Sequence, residues 1–228
     1  MNEQQLNFFL SLSVAFPAIA GIIKFGKISK TYNPFLLYVF VSLANELLVG
    51  LVLVHHSKNI QTLDWEIFNL FEGLVLLVQF HYWKLFEKNQ KLFYALIILF
   101  AGSWLVENFI ISDIYSFKPY YVLGYSLIIA LLSIQTINHI IIHQNQVPLF
   151  RNAMFIICVA LVIYFIYNIY VFTMITVGLS NFAKTFKENV FGIKVYSNVF
   201  INLLMGIAVC LIPSQKTGAN FFNRAANN

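Results

Sequence analysis

Seven long apolar stretches constrain this chain more than any other feature of its sequence. They cover approximately residues 6–26, 35–56, 65–86, 92–112, 119–142, 151–176 and 193–213. A helix needs about 20 mostly apolar residues to cross a hydrocarbon core of roughly 30 Å. Each stretch is continuous, whereas the strands of a membrane barrel alternate in segments of about ten residues. The sequence therefore predicts an all-α, polytopic membrane protein, with a seven-transmembrane-helix bundle over residues 1–213 and a polar cytoplasmic tail over residues 214–228.

The composition excludes several classes of protein. Hydrophobic residues make up 60% of the chain and charged residues 10%, against roughly 45–50% and about 25% in soluble domains. These fractions exclude a water-soluble globule and a disordered chain. The net charge of +5 is scattered over short loops, so the sequence also predicts no nucleic-acid partner.

The distribution of basic residues predicts the orientation, because Lys and Arg favour the cytoplasmic loops. With the N-terminus outside, nine basic residues lie inside and five outside. The inner residues are Lys24, Lys27, Lys30, Lys84, Lys88, Lys91, Arg151, Lys216 and Arg224, and the outer ones are Lys58, Lys118, Lys184, Lys187 and Lys194. We therefore expect an outside N-terminus and a cytoplasmic C-terminus, with the bacterial inner membrane as the location and the lipid bilayer as the first partner.

Three carboxylates lie inside the predicted spans, where an ionisable residue indicates a function. Glu46, Glu72 and Glu107 belong to the second, third and fourth spans. Because successive helices alternate in direction, we expect the three acids at similar depths, between the middle of the bilayer and its outer surface. Three ionised carboxylates in one layer without Lys or Arg would repel one another. A bound amine, a metal ion or an exchanging proton would relieve this repulsion.

Other polar residues follow stripes at helical spacing and predict a shared pocket in the outer half of the bundle. Asn69 and Glu72 lie close to one face of the third span. Tyr164 and Asn168 occupy the sixth span at a matching depth, and Asn198 and Asn202 the seventh. Asn and Tyr between membrane helices also serve as interhelical hydrogen-bonding groups, which is the alternative interpretation. The predicted ligand-binding residues are Glu46, Glu72, Glu107, Asn69, Tyr164, Asn168, Asn198 and Asn202.

Two further polar residues receive a different interpretation. Glu66, beside Asp64 and Trp65, is predicted to mark a solvated helix start with an aromatic anchor at the membrane surface. Gln79 is a candidate for a polar route toward the inner face, together with Gln135 and His139.

The sequence offers no signature of an enzyme. The lysine of the last span, Lys194, lies at its outer mouth, which excludes a retinal Schiff base at its centre. Gly124-Tyr125-Ser126 is a poor nucleophile elbow, and His139 lies about 20 Å along the same helix. Two histidines lie at the outer side and three at the inner side, so no zinc site forms at one level. We expect no catalytic residues, no metal site and no cofactor.

Three segments resemble a group of small seven-helix bacterial membrane proteins without an assigned activity. They are Ile67-Phe68-Asn69-Leu70-Phe71-Glu72, running on to Trp83; Tyr164 to Tyr170; and Asn198 to Leu204. The resemblance implies a seven-helix architecture with polar positions at Glu72, Asn168 and Asn202. It supplies no catalytic residues.

The preferred interpretation is a non-enzymatic membrane module that binds a small cationic or hydrogen-bonding ligand. A sensor of this kind would pass the signal to a protein partner at the basic cytoplasmic loops. One alternative is a transporter or channel for a small cation or a proton-coupled solute, in which the acids line a path. A second alternative is a structural subunit of a membrane complex, in which the acids only join helices.

Overall fold

Helices form most of the described structure, a computed structural model that covers residues 8–53, 56–111, 114–115, 119–143, 148–176 and 184–214. The predicted tail beyond Ser214 lies outside these residues. Within these residues, β-type pairing is limited to an isolated bridge between Ile28 and Ser214. The α-helices are α1 (Ala15–Ile23), α2 (Asn33–Leu51), α3 (Lys58–Tyr82), α4 (Gln90–Val106), α5 (Tyr120–His143), α6 (Ala153–Thr176) and α7 (Lys184–Leu211).

Four helical segments of the described chain are long and apolar enough to cross a membrane. They are Lys30–Leu51, Gln90–Ile111, Tyr120–Ile142 and Ala153–Met174. Two shorter apolar helical segments cover Phe8–Ile23 and Val195–Leu211. The 25-residue helix α3 does not belong to the four, because it carries several of the buried polar residues described below. The chain is therefore all-α and has the helices of an integral membrane protein.

Local sequence explains where several helices begin. Pro34 occupies the first turn of α2, where a missing backbone N–H costs no hydrogen bond. The side chain of Asn152 accepts hydrogen bonds from the backbone N–H groups of Met154 (3.0 Å) and Phe155 (3.3 Å) at the start of α6. Asn89 accepts similarly from Leu92 at the start of α4 (3.3 Å). These side chains satisfy donors that a helix N-terminus leaves unpaired.

The first apolar stretch forms a less regular helix than its length suggests. A 3₁₀ turn over Leu12–Val14 precedes α1, and Pro17 lies in the first turn of α1. Helix α1 ends at Ile23, and Gly26 then adopts a φ of +77°. Glycine accepts this left-handed conformation without steric cost. The helix therefore ends before residue 26, where the apolar stretch ends.

The helices pack into a closed ring. Each of α1, α2 and α3 contacts the next, α3 contacts α5, and α5, α6 and α7 follow in order before α7 returns to α1. Helix α4 packs against both α3 and α5. The first and last helices are also joined at one end, where the Lys24 ammonium group donates hydrogen bonds to the carbonyl oxygens of Cys210 (2.5 Å) and Ile212 (3.3 Å). A basic side chain at these carbonyls stabilises the C-terminus of α7.

Polar and apolar side chains are distributed as in a membrane protein. Large apolar side chains face outward, including Ile98 (71% exposed) and Ile110 (77% exposed). Several polar side chains lie inside, among them Glu72 and Gln79, each 1% exposed. A soluble protein rarely exposes such extended apolar surface, whereas lipid covers it. The polar interior between α2, α3, α6 and α7 contains the candidate site.

Candidate ligand-binding site

A cavity of about 70 Å³ lies between the N-terminal helical segment and helices α2, α3, α6 and α7. A buried water needs at least about 10–15 Å³ of such space. The space therefore suits a few waters or one small polar group. Its lining consists of Ser11, Val14, Tyr38, Ser42, Asn45, Glu46, Phe68, Tyr164, Asn198, Ile201, Asn202 and Met205.

Glu46 gives the cavity its charge. It is half-buried, and no Lys, Arg or His is among the described residues that line the cavity. In the described part of the chain, Glu46 forms neither a hydrogen bond nor an ion pair. The structure thus brings four of the predicted site residues to one cavity, namely Glu46, Tyr164, Asn198 and Asn202.

Glu72 lies next to this cavity and is surrounded by tyrosine hydroxyl groups. Tyr38 of α2 donates a hydrogen bond to its Oε1 atom (3.0 Å), and Tyr125 of α5 donates to its Oε2 atom (2.6 Å). The hydroxyl group of Tyr164 of α6 also interacts with Glu72. Three helices therefore meet α3 at one buried carboxylate. Because Tyr38 and Tyr164 also line the cavity, they connect Glu72 to Glu46.

Two predicted asparagines support this arrangement from positions outside the cavity lining. Asn69 is one turn before Glu72 on α3, and its Oδ1 atom lies 3.2 Å from the hydroxyl oxygen of Tyr125, whose proton points mainly to Glu72. Asn168 is one turn after Tyr164 on α6, and the two side chains interact. Both asparagines are buried. They orient the tyrosines that surround Glu72.

Glu107 does not share this hollow, contrary to our expectation of three acids in one pocket. Its carboxylate accepts hydrogen bonds from the backbone N–H groups of Tyr120 (3.2 Å) and Tyr121. These donors are the first N–H groups of α5, where a negative charge is also favourable for the helix dipole. Glu107 follows α4 and begins a π-helical turn over Glu107–Ile111. It therefore stabilises the junction between α4 and α5.

The expectation of a solvated Glu66 is wrong. Glu66 is 1% exposed, and its carboxylate accepts a hydrogen bond from Nδ2 of Asn108 (3.4 Å). Trp104 donates to the backbone carbonyl oxygen of the same residue (3.0 Å). Because α4 packs against this face of α3, it covers Glu66. Glu66 lies at one end of its apolar stretch, and the sequence does not show that α4 covers it.

Gln79 forms contacts between α3 and the start of α2. Its Oε1 atom accepts a hydrogen bond from the backbone N–H of Phe35 (2.7 Å), and its Nε2 atom donates to the carbonyl oxygen of Thr31 (2.8 Å). Both ends of the amide are therefore used in holding α2. These contacts give Gln79 a structural role that the polar-route interpretation did not include.

Two residues of the site were missed or undervalued from the sequence. Tyr38 was not singled out, although Tyr38, Ser42 and Glu46 follow one another at four-residue spacing along α2. This helical stripe is the signal that identifies it. Tyr125 lies on the fifth span at a depth where it could join the polar stripes, and its hydroxyl group contacts Glu72.

The described residues contain no group of three or more His, Cys, Asp or Glu side chains that could hold a metal ion. The geometry instead offers a small acidic cavity with oxygen-bearing side chains around it. No protein-family model, curated protein or solved structure matches the chain.

Proposed function

We propose that this protein is a seven-span membrane protein that binds a small cationic ligand at Glu46 without chemically changing it. The observation that carries this proposal is the cavity itself. Among the described residues that line it are one carboxylate without a bonded partner and no basic side chain. A partly desolvated carboxylate of this kind favours a cation over an anion.

Four of the predicted site residues take roles as direct ligand contacts. Glu46 supplies the charge, while Tyr164, Asn198 and Asn202 surround the ligand. Glu72 and Asn168 hold Tyr38 and Tyr164 in position, while Asn69 contacts Tyr125. Glu107 acts at the start of α5 and has no part in binding.

The proposed topology places the N-terminus outside and the C-terminus in the cytoplasm of a bacterial cell. The Lys and Arg bias of the loops supports it. The shorter apolar segments Phe8–Ile23 and Val195–Leu211, together with α3, would complete the bundle around the four long apolar helices. Labelling of single cysteines at residues 58 and 88 with a membrane-impermeant maleimide tests this topology. We expect labelling of intact cells at residue 58 alone, and labelling at residue 88 alone would contradict the orientation.

The cavity favours a binding protein over the two alternatives. A purely structural subunit has no need of an unpaired carboxylate facing an open space. A transporter needs a continuous path to the inner face, but Gln79 is engaged with α2 at that side. We therefore propose a sensor-like module, with the basic cytoplasmic loops as the contact for a protein partner.

Thermal unfolding of the detergent-purified protein tests this function. Methylammonium and tetramethylammonium chloride are each titrated against sodium chloride at equal ionic strength. A ligand of the native state raises the unfolding midpoint with its concentration. We expect at least one of the two cations to do so in the wild type and in Glu87→Gln, but not in Glu46→Gln. Glu87 is a matched control because its side chain is 63% exposed and pairs with Lys84.

Two results would contradict the proposal. One is that neither cation raises the midpoint of the wild type, and the other is that Glu46→Gln responds as the wild type does. Uptake of labelled methylammonium into liposomes that contain the protein would instead favour the transporter. Binding without uptake is the expected result.

A further inference from the structure

Three hydroxyl groups that line the cavity already donate their protons to other atoms of the protein. Ser11 donates to the backbone carbonyl oxygen of Phe8 (2.9 Å), and Ser42 donates to that of Tyr38 (2.8 Å). The hydroxyl group of Tyr38 donates to Glu72 (3.0 Å). A hydroxyl group has one proton and two acceptor lone pairs. Toward the cavity, these three oxygens can therefore only accept.

The side-chain amide of Asn202 also donates to another atom of the protein. Its Nδ2 atom donates to the hydroxyl oxygen of Ser13 (2.8 Å), and Ser13 is not among the cavity-lining residues. The opposite side of the amide carries the Oδ1 atom, which is an acceptor. With the carboxylate of Glu46, the cavity thus combines a negative charge with a set of hydrogen-bond acceptors from the N-terminal segment, α2 and α7.

We infer that the cavity binds a primary ammonium group, with Glu46 as its counter-ion and the oxygens of Tyr38, Ser42 and Asn202 as further acceptors. This inference rests on the proposed function and names its ligand class. An ammonium group of this type has three N–H donors and no acceptor. It therefore complements the carboxylate of Glu46 and these acceptors, and the hydrogen bonds to the carboxylate are charge-assisted.

A quaternary ammonium is the rival occupant, because Tyr38, Phe68 and Tyr164 are aromatic and line the cavity. Aromatic faces attract such cations. A quaternary ammonium, however, donates no N–H hydrogen bond and would leave the surrounding acceptors unpaired. It is also bulkier than methylammonium.

Comparison of the two cations separates the inference from the proposed function. We expect methylammonium to raise the unfolding midpoint at concentrations at least about tenfold lower than tetramethylammonium. Equal potency of both cations, with both effects lost in Glu46→Gln, would overturn the primary-ammonium inference and leave the cation site. No effect of either cation would overturn both.

Two serine-to-alanine variants, one in the cavity and one outside it, test the set of acceptors directly. Ser42→Ala removes an acceptor from the cavity, and because the Ser42 hydrogen bond is a local contact within α2, the helix tolerates its loss. Ser126→Ala is the control, since Ser126 is fully buried in α5 and does not line the cavity. We expect Ser42→Ala to weaken methylammonium binding several-fold and Ser126→Ala to leave it unchanged. Equal affinity in the wild type and Ser42→Ala would overturn the acceptor assignment.

Discussion

The hydroxyl group of Tyr125 donates a hydrogen bond to Oε2 of Glu72 over 2.6 Å, which joins α5 to α3 inside the bundle. Glu72 is 1% exposed. A buried carboxylate is costly unless hydrogen-bond donors surround it. The tyrosines around Glu72 therefore stabilise the bundle as well as shape the neighbouring cavity.

Tyr125→Phe is expected to lower the free energy of unfolding by about 1–3 kcal/mol, because it leaves Glu72 with one donor fewer. Tyr120→Phe is the control on the same helix, since Tyr120 is 54% exposed. Thermal or denaturant-induced unfolding in detergent measures the difference. Equal stability of the two variants would show that the Tyr125 hydroxyl group contributes nothing to the fold.

Gln79→Leu is expected to destabilise the protein by about 1–3 kcal/mol, because the backbone N–H of Phe35 and the carbonyl oxygen of Thr31 both lose a partner. Gln135→Leu is the matched control, as Gln135 is exposed on α5. Hydrogen exchange followed by mass spectrometry checks the location of the effect. We expect faster exchange at the start of α2, and uniform exchange across the chain would contradict the proposed anchoring.

Gly206→Ala is expected to destabilise the contact between α1 and α7. An added Cβ atom at Gly206 would overlap the ring of Phe16, whereas an added Cβ atom at Gly102 would meet no atom within 4 Å. Overpacking of this kind typically costs about 1–3 kcal/mol. The midpoint of unfolding should fall in Gly206→Ala, whereas in Gly102→Ala it should not fall, because Ala favours the helix over Gly.

The double variant Phe16→Ala with Gly206→Ala tests the cause of that loss. If the ring is the obstacle, Gly206→Ala costs less in the Phe16→Ala background than in the wild type. An identical cost in both backgrounds would assign the effect to something other than this contact.

Glu107→Gln is expected to destabilise the start of α5 by about 0.5–2 kcal/mol, through loss of a charged partner at the helix N-terminus. Faster hydrogen exchange at Tyr120 and Tyr121 would locate the effect. Faster hydrogen exchange confined to residues around Glu46 would contradict the role that the structure gives to Glu107.

Hydropathy predicted much of the helical framework because lipid imposes a simple length rule. The segments that form α2, α4, α5 and α6 are recognisable from apolar length alone. Helix α3 differs, because its inner face carries Glu66, Glu72 and Gln79, and it begins at Lys58, before the apolar stretch does. The apolar stretch before residue 26 also hides the turn at Gly26.

Depth along the spans identified residues of the cavity, but rotation about each helix axis did not follow from it. Asn198, Asn202 and Tyr164 share a level with Glu46 and do line one cavity. Glu107 also lies at a suitable depth, yet it turns toward the start of α5. Its partners are backbone N–H groups, which a side-chain pattern does not show.

Direct binding of radiolabelled methylammonium to the purified protein, by equilibrium dialysis at fixed ionic strength, tests the central claim most directly. The wild type, Glu46→Gln and Glu107→Gln are compared under conditions in which all three remain folded. We expect saturable binding to the wild type and Glu107→Gln, and at least about tenfold weaker binding to Glu46→Gln, equivalent to about 1.4 kcal/mol. Equal binding to the wild type and Glu46→Gln would contradict the account.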